Sequence, residues 1–434
     1  MARRSSSILA VTLAIIVAGC GSSSMTPSPS GSASAAVRTS AAAAVPGTSA
    51  VPASAAVPAS ATTPSAEPAA SDTWLAADVA QPSPVTTAPS LQPGYQCHPC
   101  HFLAEDQFLG AGQSAGGPIA VGVQEPPAQA VAFSSLDGSH WFPLSGFSGA
   151  TGTTAIATAS NGPRSVIVGL DHDGATAWAS DGGAWTQAPR QADLLVPYAA
   201  GAMTSVAAFA DGFIAGGYRD DPLHATSSAA AWRSGDGLTW HADGGSGTFG
   251  GGRIWGIAAK AGTVVAVGTS GDPNYGPAAA WRWTQATGWQ RGRIAPDGAG
   301  AMRAVAVTSA GFVAVGLDGH DTGAMAWTSP DGLAWTAAPD QPAFHYFLMP
   351  VRMQSIVAVP AGLVAGGWRS DVAKGSAVTW TSTDGVTWHG PAWETSFSGG
   401  QITGLTVSDG AVVAVGRTGY PDWNQASVWV SRVP

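Results

Sequence analysis

The sequence predicts an all-β fold, a seven-bladed β-propeller with four-stranded antiparallel blades. An apolar, strand-like run that ends in or next to glycine recurs at 119–123, 166–170, 213–217, 264–268, 312–316, 363–367 and 412–416. The run that follows ends in an aromatic residue at Phe133, Trp178, Trp232, Trp281, Trp327, Trp380 and Trp429, with spacings of 45, 54, 49, 46, 53 and 49 residues. Four such runs per unit, separated by turn residues at this period, are typical of propeller blades. The 57 glycines and 31 prolines also argue against long helices.

A segment near Trp74 is predicted to close the ring. Six units carry a tryptophan in a fourth run, at positions 141, 185, 240, 289, 335 and 388, whereas the seventh unit stops after its third run. The residues around Trp74, Asp-Thr-Trp-Leu-Ala, match the missing run. We therefore expect a strand within 72–78 to be the outer strand of the last blade, because closure removes free sheet edges.

The N-terminal residues have the pattern of an export signal. Arg3 and Arg4 precede an apolar run at 8–17, which is too short to span a bilayer as a helix. The sequence Val-Ala-Gly-Cys that ends at Cys20 resembles the bacterial lipoprotein lipobox. This resemblance implies cleavage after residues 1–19, lipidation of Cys20 and a location on the outer face of the cytoplasmic membrane, within the cell envelope. The alternative is an ordinary secretory signal with a chance cysteine.

Residues 20–71 are predicted to be the lipidated cysteine and a disordered stalk. Between 21 and 71 only seven residues are not Ala, Ser, Pro, Thr or Gly. Such a composition cannot bury enough apolar surface to offset the entropy of ordering. The propeller is then expected over 72–434, with the closing strand at 72–78, a connector at 79–105 and the blades at 106–434.

The turn between the third and fourth runs has a shared form, Ser-x-Asp-Gly-x-x-Trp. It resembles the Asp-box, or bacterial neuraminidase repeat, of sialidase-like propellers, and the match covers most of the predicted blades. The aspartate is expected to accept hydrogen bonds from backbone N–H groups of its own turn, which is a structural role. The aspartates of this pattern are Asp137, Asp181, Asp236, Asp331 and Asp384, and the copy at Asp181 has Ala179 in place of serine.

The same resemblance implies a ligand site on the face opposite the Asp-boxes, formed by the second-to-third and fourth-to-first connections. Each second-to-third connection contains a carboxylate: Glu125; Asp171 and Asp173; Asp220 and Asp221; Asp272; Asp318 and Asp321; Asp371; and Asp422. We expect a polar bowl rimmed by aromatic residues that binds a carbohydrate or a protein. The simpler alternative is that turns favour aspartate and that these charges only solvate the surface. The candidate ligand-binding residues are Arg219, Arg253, Arg352, Arg369, Asp220, Asp371, Tyr346 and Glu394.

A glycoside hydrolase is the second interpretation of this face. Sialidase chemistry uses three arginines to hold a carboxylate, a tyrosine nucleophile activated by glutamate, and an acid–base aspartate. The arginines listed above, together with Arg417, are candidates, but beyond the stalk only Glu105, Glu125 and Glu394 are glutamates. A glucanase-like enzyme would need two facing carboxylates. No catalytic residue is assigned, and binding without catalysis is the favoured interpretation.

The motif Cys97-His98-Pro99-Cys100-His101 permits three interpretations. It fits the C-x-x-C-H pattern of covalent haem attachment, with His101 as axial ligand and an electron-carrier function. A Cys/His metal site using His98 and His101 is another possibility. An exported pair of cysteines more simply predicts a disulfide between Cys97 and Cys100. We therefore expect neither a cofactor nor a metal.

Composition argues against nucleic-acid binding. The chain contains 18 Lys and Arg against 27 Asp and Glu, a net charge of −9, and charged residues are only 10% of the total. Few cations are thus present to neutralise phosphates. The expected partners are the membrane, through the lipid anchor, and a glycan or envelope protein, with the chain itself a monomer.

Overall fold

The computed structural model describes residues 74–79, 106–138, 140–195, 200–221, 226–244, 247–296, 300–347, 349–370, 375–393, 397–419 and 425–432. Nearly all regular structure in these residues is β-strand, together with one short 3-10 helix at Pro342–Phe344. No helix in the described part of the chain is both long enough and apolar enough to cross a membrane.

The strands form seven sheets that correspond to the seven predicted units, so the propeller prediction is confirmed. Blade 1 contains β3 (Gln107–Ser114), β4 (Gly117–Gln124), β5 (Gln129–Ser134) and β6 (His140–Pro143). Blade 2 contains β7 (Thr154–Asn161), β8 (Arg164–Asp171), β9 (Gly174–Ser180) and β10 (Thr186–Gln187). Blade 3 contains β11 (Gly201–Phe209), β12 (Gly212–Asp221), β13 (Thr226–Ser234) and β14 (His241–Ala242).

The remaining blades follow the same order. Blade 4 contains β15 (Gly252–Lys260), β16 (Thr263–Ser270), β17 (Ala278–Thr284) and β18 (Gly288–Arg291). Blade 5 contains β20 (Ala301–Thr308), β21 (Gly311–Leu317), β22 (Ala324–Ser329) and β23 (Ala334–Ala337). Blade 6 contains β24 (Val351–Val359), β25 (Gly362–Arg369), β26 (Ser376–Ser382) and β27 (His389–Ala392). Blade 7 contains β28 (Gln401–Ser408), β29 (Ala411–Thr418), β30 (Gln425–Arg432) and, from the N-terminal side, β1 (Leu75–Ala76).

The strand β1 closes the ring, as predicted. It pairs antiparallel with β30, with Leu75 opposite Val430, and is the outer strand of blade 7. Trp74 is buried, and its ring centroid lies 5.9 Å from that of Phe397. The same phenylalanine packs edge-on against Trp429 at 5.7 Å. The closing strand is held by this aromatic cluster as well as by its backbone pairing.

Two blades have a fifth strand that the sequence did not predict. The segment β2 (Asp78–Val79) pairs parallel with β6 in blade 1, and β19 (Arg293–Ala295) pairs parallel with β23 in blade 5. Each follows an outer strand of the preceding blade and covers the outer edge of the next one. Because an unpaired edge offers its N–H and C=O groups to other chains, this pairing protects both edges.

Seven apolar clusters hold neighbouring blades together, one at each interface. Between blades 5 and 6, for example, Trp380 and Trp388 pack with Val313 and Val315. A buried tryptophan removes about 150–250 Å² of surface from water. The tryptophans that are less than 2% exposed are Trp141, Trp178, Trp232, Trp240, Trp281, Trp327, Trp335, Trp380 and Trp429.

Every inner strand has a one-residue β-bulge near its start, and a glycine of the second strand faces the residue before the bulge. A Cβ atom on any of these glycines would lie 1.9–2.0 Å from a carbonyl oxygen of the inner strand. No other residue fits there without moving the backbone. The glycines are Gly122, Gly169, Gly217, Gly268, Gly316, Gly367 and Gly416, and the unpaired bulge residues are Leu109, Ile156, Thr204, Trp255, Arg303, Gln354 and Thr403.

The turn at Asp236 shows how the Ser-x-Asp-Gly-x-x-Trp sequence organises a hairpin. The Asp236 carboxylate accepts hydrogen bonds from the backbone N–H groups of Leu238 and Thr239, at 2.9 and 2.6 Å. Gly237 donates its N–H to the Ser234 hydroxyl at 2.7 Å, and Trp240 donates its Nε1–H to the Gly237 carbonyl at 2.9 Å. The turns at Asp331 and Asp384 repeat these bonds, and the turn at Asp137 repeats most of them.

The turn at Asp181 departs from this geometry. The strand register places Ser180, not Ala179, at the serine position of the other copies, so the turn is one residue shorter between serine and aspartate. The Ser180 hydroxyl donates to the Gly183 carbonyl at 2.9 Å, and the Asp181 carboxylate pairs with Arg164 at 2.7 Å. The following Trp185 is only half-buried, whereas the corresponding tryptophans of the complete turns are buried. The missing residue between serine and aspartate accounts for this difference.

The Gly316→Ala variant should destabilise the protein strongly. The new Cβ would lie 1.9 Å from the Ala301 carbonyl oxygen, so the strand pair must separate. We expect a loss of about 3 kcal/mol in the free energy of unfolding, at the upper end of overpacking costs. Urea denaturation measures it. The matched control is Gly235→Ala, where no atom lies within 4 Å of the added methyl group; equal effects of the two substitutions would contradict the steric argument.

Stability should fall in acid partly through Asp236. Burial acts to raise the pKa of Asp236, but the hydrogen bonds from Thr239, Leu238 and Ser234 outweigh it and lower that pKa to about 2. A carboxyl with a depressed folded-state pKa stabilises the fold above its unfolded pKa, about 3.9, and loses this contribution as pH falls towards 2. Because Asp236 is exposed, we expect only about 1 kcal/mol. The free energy of unfolding between pH 5 and 2 should decline less steeply for Asp236→Asn than for the wild type; parallel curves would contradict this role.

Candidate functional site

The candidate site lies at the end of the ring where each inner strand begins. In an antiparallel blade, the turns after the first and third strands share one end, and those after the second and fourth strands share the other. The turns at Asp137, Asp236, Asp331 and Asp384 occupy the first end. The starts of the seven inner strands lie at the second end. Six of the predicted ligand-binding residues are described by the structure and belong to the same end: Arg219, Asp220, Arg253, Tyr346, Arg352 and Arg369.

Three arginines from consecutive blades come together there. Arg253, Arg303 and Arg352 lie near the starts of β15, β20 and β24, the inner strands of blades 4, 5 and 6. Burial lowers the pKa of Arg303 to about 10, and the positive charges of Arg352 and Arg253 shift it in the same direction. Arg303 thus stays cationic at neutral pH, and an anion among the three guanidinium groups would be stabilised.

Arg253 is already neutralised by a close ion pair. Its Nη2 donates to both carboxylate oxygens of Asp220, at 3.2 and 3.0 Å, and its Nε donates to the Ser227 hydroxyl at 3.1 Å. The guanidinium also lies 3.7 Å from the centre of the Tyr218 ring, a cation–π contact. The predicted residues Arg253 and Asp220 are thus direct partners, and Asp220 reaches this arginine from blade 3.

Arg303 and Arg352 have weaker partners. Arg303 donates to the backbone carbonyl of Asn274 at 2.6 Å and lies 4.7 Å from the Trp255 ring centre. Arg352 lies 4.6 Å from the Trp368 ring centre, and its Nη1 is 3.7 Å from a carboxylate oxygen of Asp321. The Nε atom of Arg352 is buried and has no hydrogen-bond partner. Two guanidinium groups therefore share a single, loosely placed carboxylate.

Asp321 extends from the second-to-third connection of blade 5 towards these arginines. Burial raises the pKa of its carboxyl, against the opposing effect of Arg352, Arg303 and a hydrogen bond from Tyr275. The connection itself is ordered by Asp318, whose carboxylate accepts hydrogen bonds from the N–H groups of His320 and Thr322. The Tyr275 side chain, which comes from blade 4, is 48% exposed. A phenol and a carboxyl thus lie beside the arginine cluster.

Two further predicted arginines make separate contacts on the same end. Arg369 lies 4.1 Å from the Tyr346 ring centre and 5.4 Å from that of Trp393, so the structure brings the predicted pair Arg369 and Tyr346 together. Arg219 donates to the Asp193 backbone carbonyl, and burial lowers its pKa. Arg417, named with the hydrolase alternative, donates to Gln401 at 2.9 and 3.2 Å.

Several predicted residues cannot be placed. Asp371 and Glu394 lie outside the described residues, as do Cys20, Cys97, Cys100 and His101. The predictions of a lipidated cysteine, a disulfide and a haem or metal motif therefore stay predictions.

Two residues of the site were missed by sequence reasoning, Arg303 and Trp255. Both occupy the bulge position of their inner strands, two residues beyond the register of Arg253 and Arg352. A bulge changes the direction of the side chains along a strand, so residues at a different repeat position can face the same site. The recurring glycine opposite the bulge was visible in the sequence and is the signal that would have found them.

A separate pocket of about 290 Å³ lies beside blade 2. Its rim includes Asp171 and His172, whose side chains lie with Asp173 in a group compact enough to hold a cation. Arg190 already occupies this group, because it pairs with the Asp173 carboxylate and lies 3.0 Å from His172 Nε2. A metal ion would have to displace that guanidinium.

Comparison with known proteins finds structural likenesses alone. No family model and no curated protein matches the chain. It is similar in structure to the acylaminoacyl peptidase of Pyrococcus horikoshii (7% identity, TM-score 0.47, covering 76% of this chain and 52% of the peptidase). It is also similar to the Trypanosoma rangeli sialidase solved with sialic acid (10% identity, TM-score 0.41, covering 76% of this chain and 55% of the sialidase). A third similar structure is a subtype N10 neuraminidase-like protein from a little yellow-shouldered bat strain (10% identity, TM-score 0.40, covering 76% of this chain and 96% of that protein). The chain thus spans about half the length of the first two.

Proposed function

We propose that the propeller binds an anionic group of a carbohydrate or protein ligand at Arg253, Arg303 and Arg352. The observation that carries this proposal is the convergence of three guanidinium groups from consecutive blades, which form ion pairs with two carboxylates among the described residues, Asp220 and Asp321. Guanidinium groups bind carboxylate and sulfate oxygens through paired, charge-assisted hydrogen bonds. The flanking aromatic residues Trp255 and Trp368 give the cluster an apolar wall.

The layout of the chain supports a binding role in the cell envelope. We propose that residues 1–19 are a signal peptide, that Cys20 carries lipid and that 20–71 is a stalk for the propeller. We also assign the turns at Asp137, Asp236, Asp331 and Asp384 to the Asp-box, since their carboxylates accept backbone hydrogen bonds within their own turns. These turns stabilise the end of the ring opposite the ligand.

A glycoside hydrolase is a second candidate, favoured by the Tyr275–Asp321 contact. The phenol donates to the carboxyl beside Arg352 and Arg303, and burial raises the pKa of Asp321. A tyrosine nucleophile and a carboxylic acid near a cationic clamp are groups from which glycoside cleavage can be built. Binding remains the first proposal because Asp318, a second carboxylate that acts on Asp321, is held by the N–H groups of His320 and Thr322 in its own turn.

Replacement of Arg303 should test the binding site. The full-length protein in detergent is applied to an array of carboxylated, sulfated and neutral glycans. We expect Arg303→Gln to weaken binding of acidic glycans by about tenfold to a hundredfold, as removal of a charge-assisted hydrogen bond costs about 1.5–3 kcal/mol. The control is Arg164→Gln. It also removes one arginine, but in blade 2 at the other end of the ring, and it should leave glycan binding unchanged.

Preference for neutral glycans, or equal loss in both variants, would refute an anion site at the cluster. Release of product from a fluorogenic sialoside or glucan, abolished by Tyr275→Phe, would instead establish the hydrolase.

Lipidation is tested independently by Cys20→Ala. This variant should move from the membrane fraction to the soluble fraction, because the acyl chains provide the membrane affinity. Cys97→Ala, which removes a cysteine beyond the stalk, should stay with the membranes. Retention of Cys20→Ala in the membrane fraction would show that the anchor lies elsewhere.

A further inference from the structure

Asp321 does not make a good ion pair. Among the described residues, its ion-pair partner is Arg352, whose Nη1 is 3.7 Å away and beyond hydrogen-bond distance, and its buried Oδ1 has no hydrogen-bond partner. Asp220, by contrast, receives two hydrogen bonds from Arg253. A buried carboxylate oxygen without a donor is unfavourable, because it has lost its hydrogen bonds to water and gained none in return. Asp321 is therefore held near the arginines without being well bound by them.

The backbone at Asp321 is also strained. Its φ angle is +55°, in the left-handed region that residues other than glycine seldom adopt. Asp318 fixes the preceding turn through its carboxylate, and Gly319 and Gly323 flank the turn. Strain of this kind persists where the surroundings impose it and is frequent at ligand sites.

Burial acts against the charged form of Asp321. It raises the pKa of the carboxyl even though Arg352, Arg303 and the Tyr275 hydroxyl act in the opposite direction. The guanidinium groups therefore fail to compensate fully for the loss of water around this carboxylate. A ligand anion with freely oriented oxygens would meet the same two arginines without the geometric constraint of the loop.

We propose that Asp321 is an internal substitute for the anionic group of the ligand, and that ligand binding displaces its carboxylate from Arg352 and Arg303. This inference rests on the proposed binding function. It adds that the ligand anion must replace the Asp321 carboxylate beside the two arginines. The ligand must then carry a carboxylate or sulfate group, because a neutral ligand has no negative charge to replace that of Asp321 beside Arg352 and Arg303. A ligand must therefore bind Arg352 and Arg303 more strongly than Asp321 does. Asp220 remains bound to Arg253.

Calorimetry measures the affinity of the full-length protein in detergent for glucuronate, with glucose as the neutral probe. The wild type is compared with two variants of Asp321 and one control. Asp321→Asn removes the competing charge while keeping a residue that tolerates positive φ. We expect the dissociation constant for glucuronate to fall about tenfold, because the fraction of competent sites rises. Asp409→Asn is the control, since Asp409 also has positive φ, +48°, but lies in the first hairpin of blade 7 at the opposite end.

The outcomes separate the two proposals. Equal or weaker glucuronate binding by folded Asp321→Asn, with measurable wild-type binding, would overturn the exchange and leave the anion site standing. Absence of glucuronate binding in all proteins would overturn both. Asp321→Gly, which removes the charge and the strain, should also bind about tenfold more tightly. If both variants fail to fold, Asp321 is a structural partner of the arginines and the inference is wrong.

Discussion

The close approach of an inner-strand carbonyl to a second-strand glycine is the constraint on which the rest of the molecule depends. It occurs in all seven blades, and a Cβ atom would remove it. The bulge beside this contact bends the inner strand and changes the direction of its side chains. Arg253 and Arg352 precede the glycine-facing residue by one position, and Arg303 is itself a bulge residue. The contact that shapes each blade therefore also brings cations of three blades to one end of the ring.

The repeated sequence was sufficient to predict the architecture because each blade encodes the same contacts. The number of repeats predicted seven blades, and the match around Trp74 to the fourth run predicted the closing strand. The additional strands β2 and β19 were not predictable, since they are two and three residues long, lie in connectors and carry no repeated pattern. Their pairing depends on where the connectors run once the blades are formed. Tertiary structure thus decides features that are too short to have a local signal.

The site was predictable only in part, for the same physical reason. Arg253, Asp220 and Arg352 were recognised because they hold fixed positions in the repeat or its connections. Arg303 was missed because it occupies the bulge position, two residues beyond the positions of Arg253 and Arg352 in the repeat. Asp321 was noted only as one of many connection carboxylates, and nothing local indicates its positive φ or its loose contact with Arg352. Pairing between blades fixes both, and a single repeat contains no information about it.

The segment from Trp74 to Val79 contributes β1 to blade 7 and then β2 to blade 1, so it spans the seam of the ring. In the part of the chain that the structure describes, this segment is held by the two-residue strands β1 and β2, by the hydrogen bond from the Ala77 N–H to the Val428 carbonyl at 2.8 Å, and by the Trp74 contacts. Any pull on the chain ahead of Trp74 would reach the seam before it reached a complete blade. Under tension, the backbone pairs at Leu75 and Ala76 should therefore separate first, and the ring would open at this seam before any complete blade unfolds.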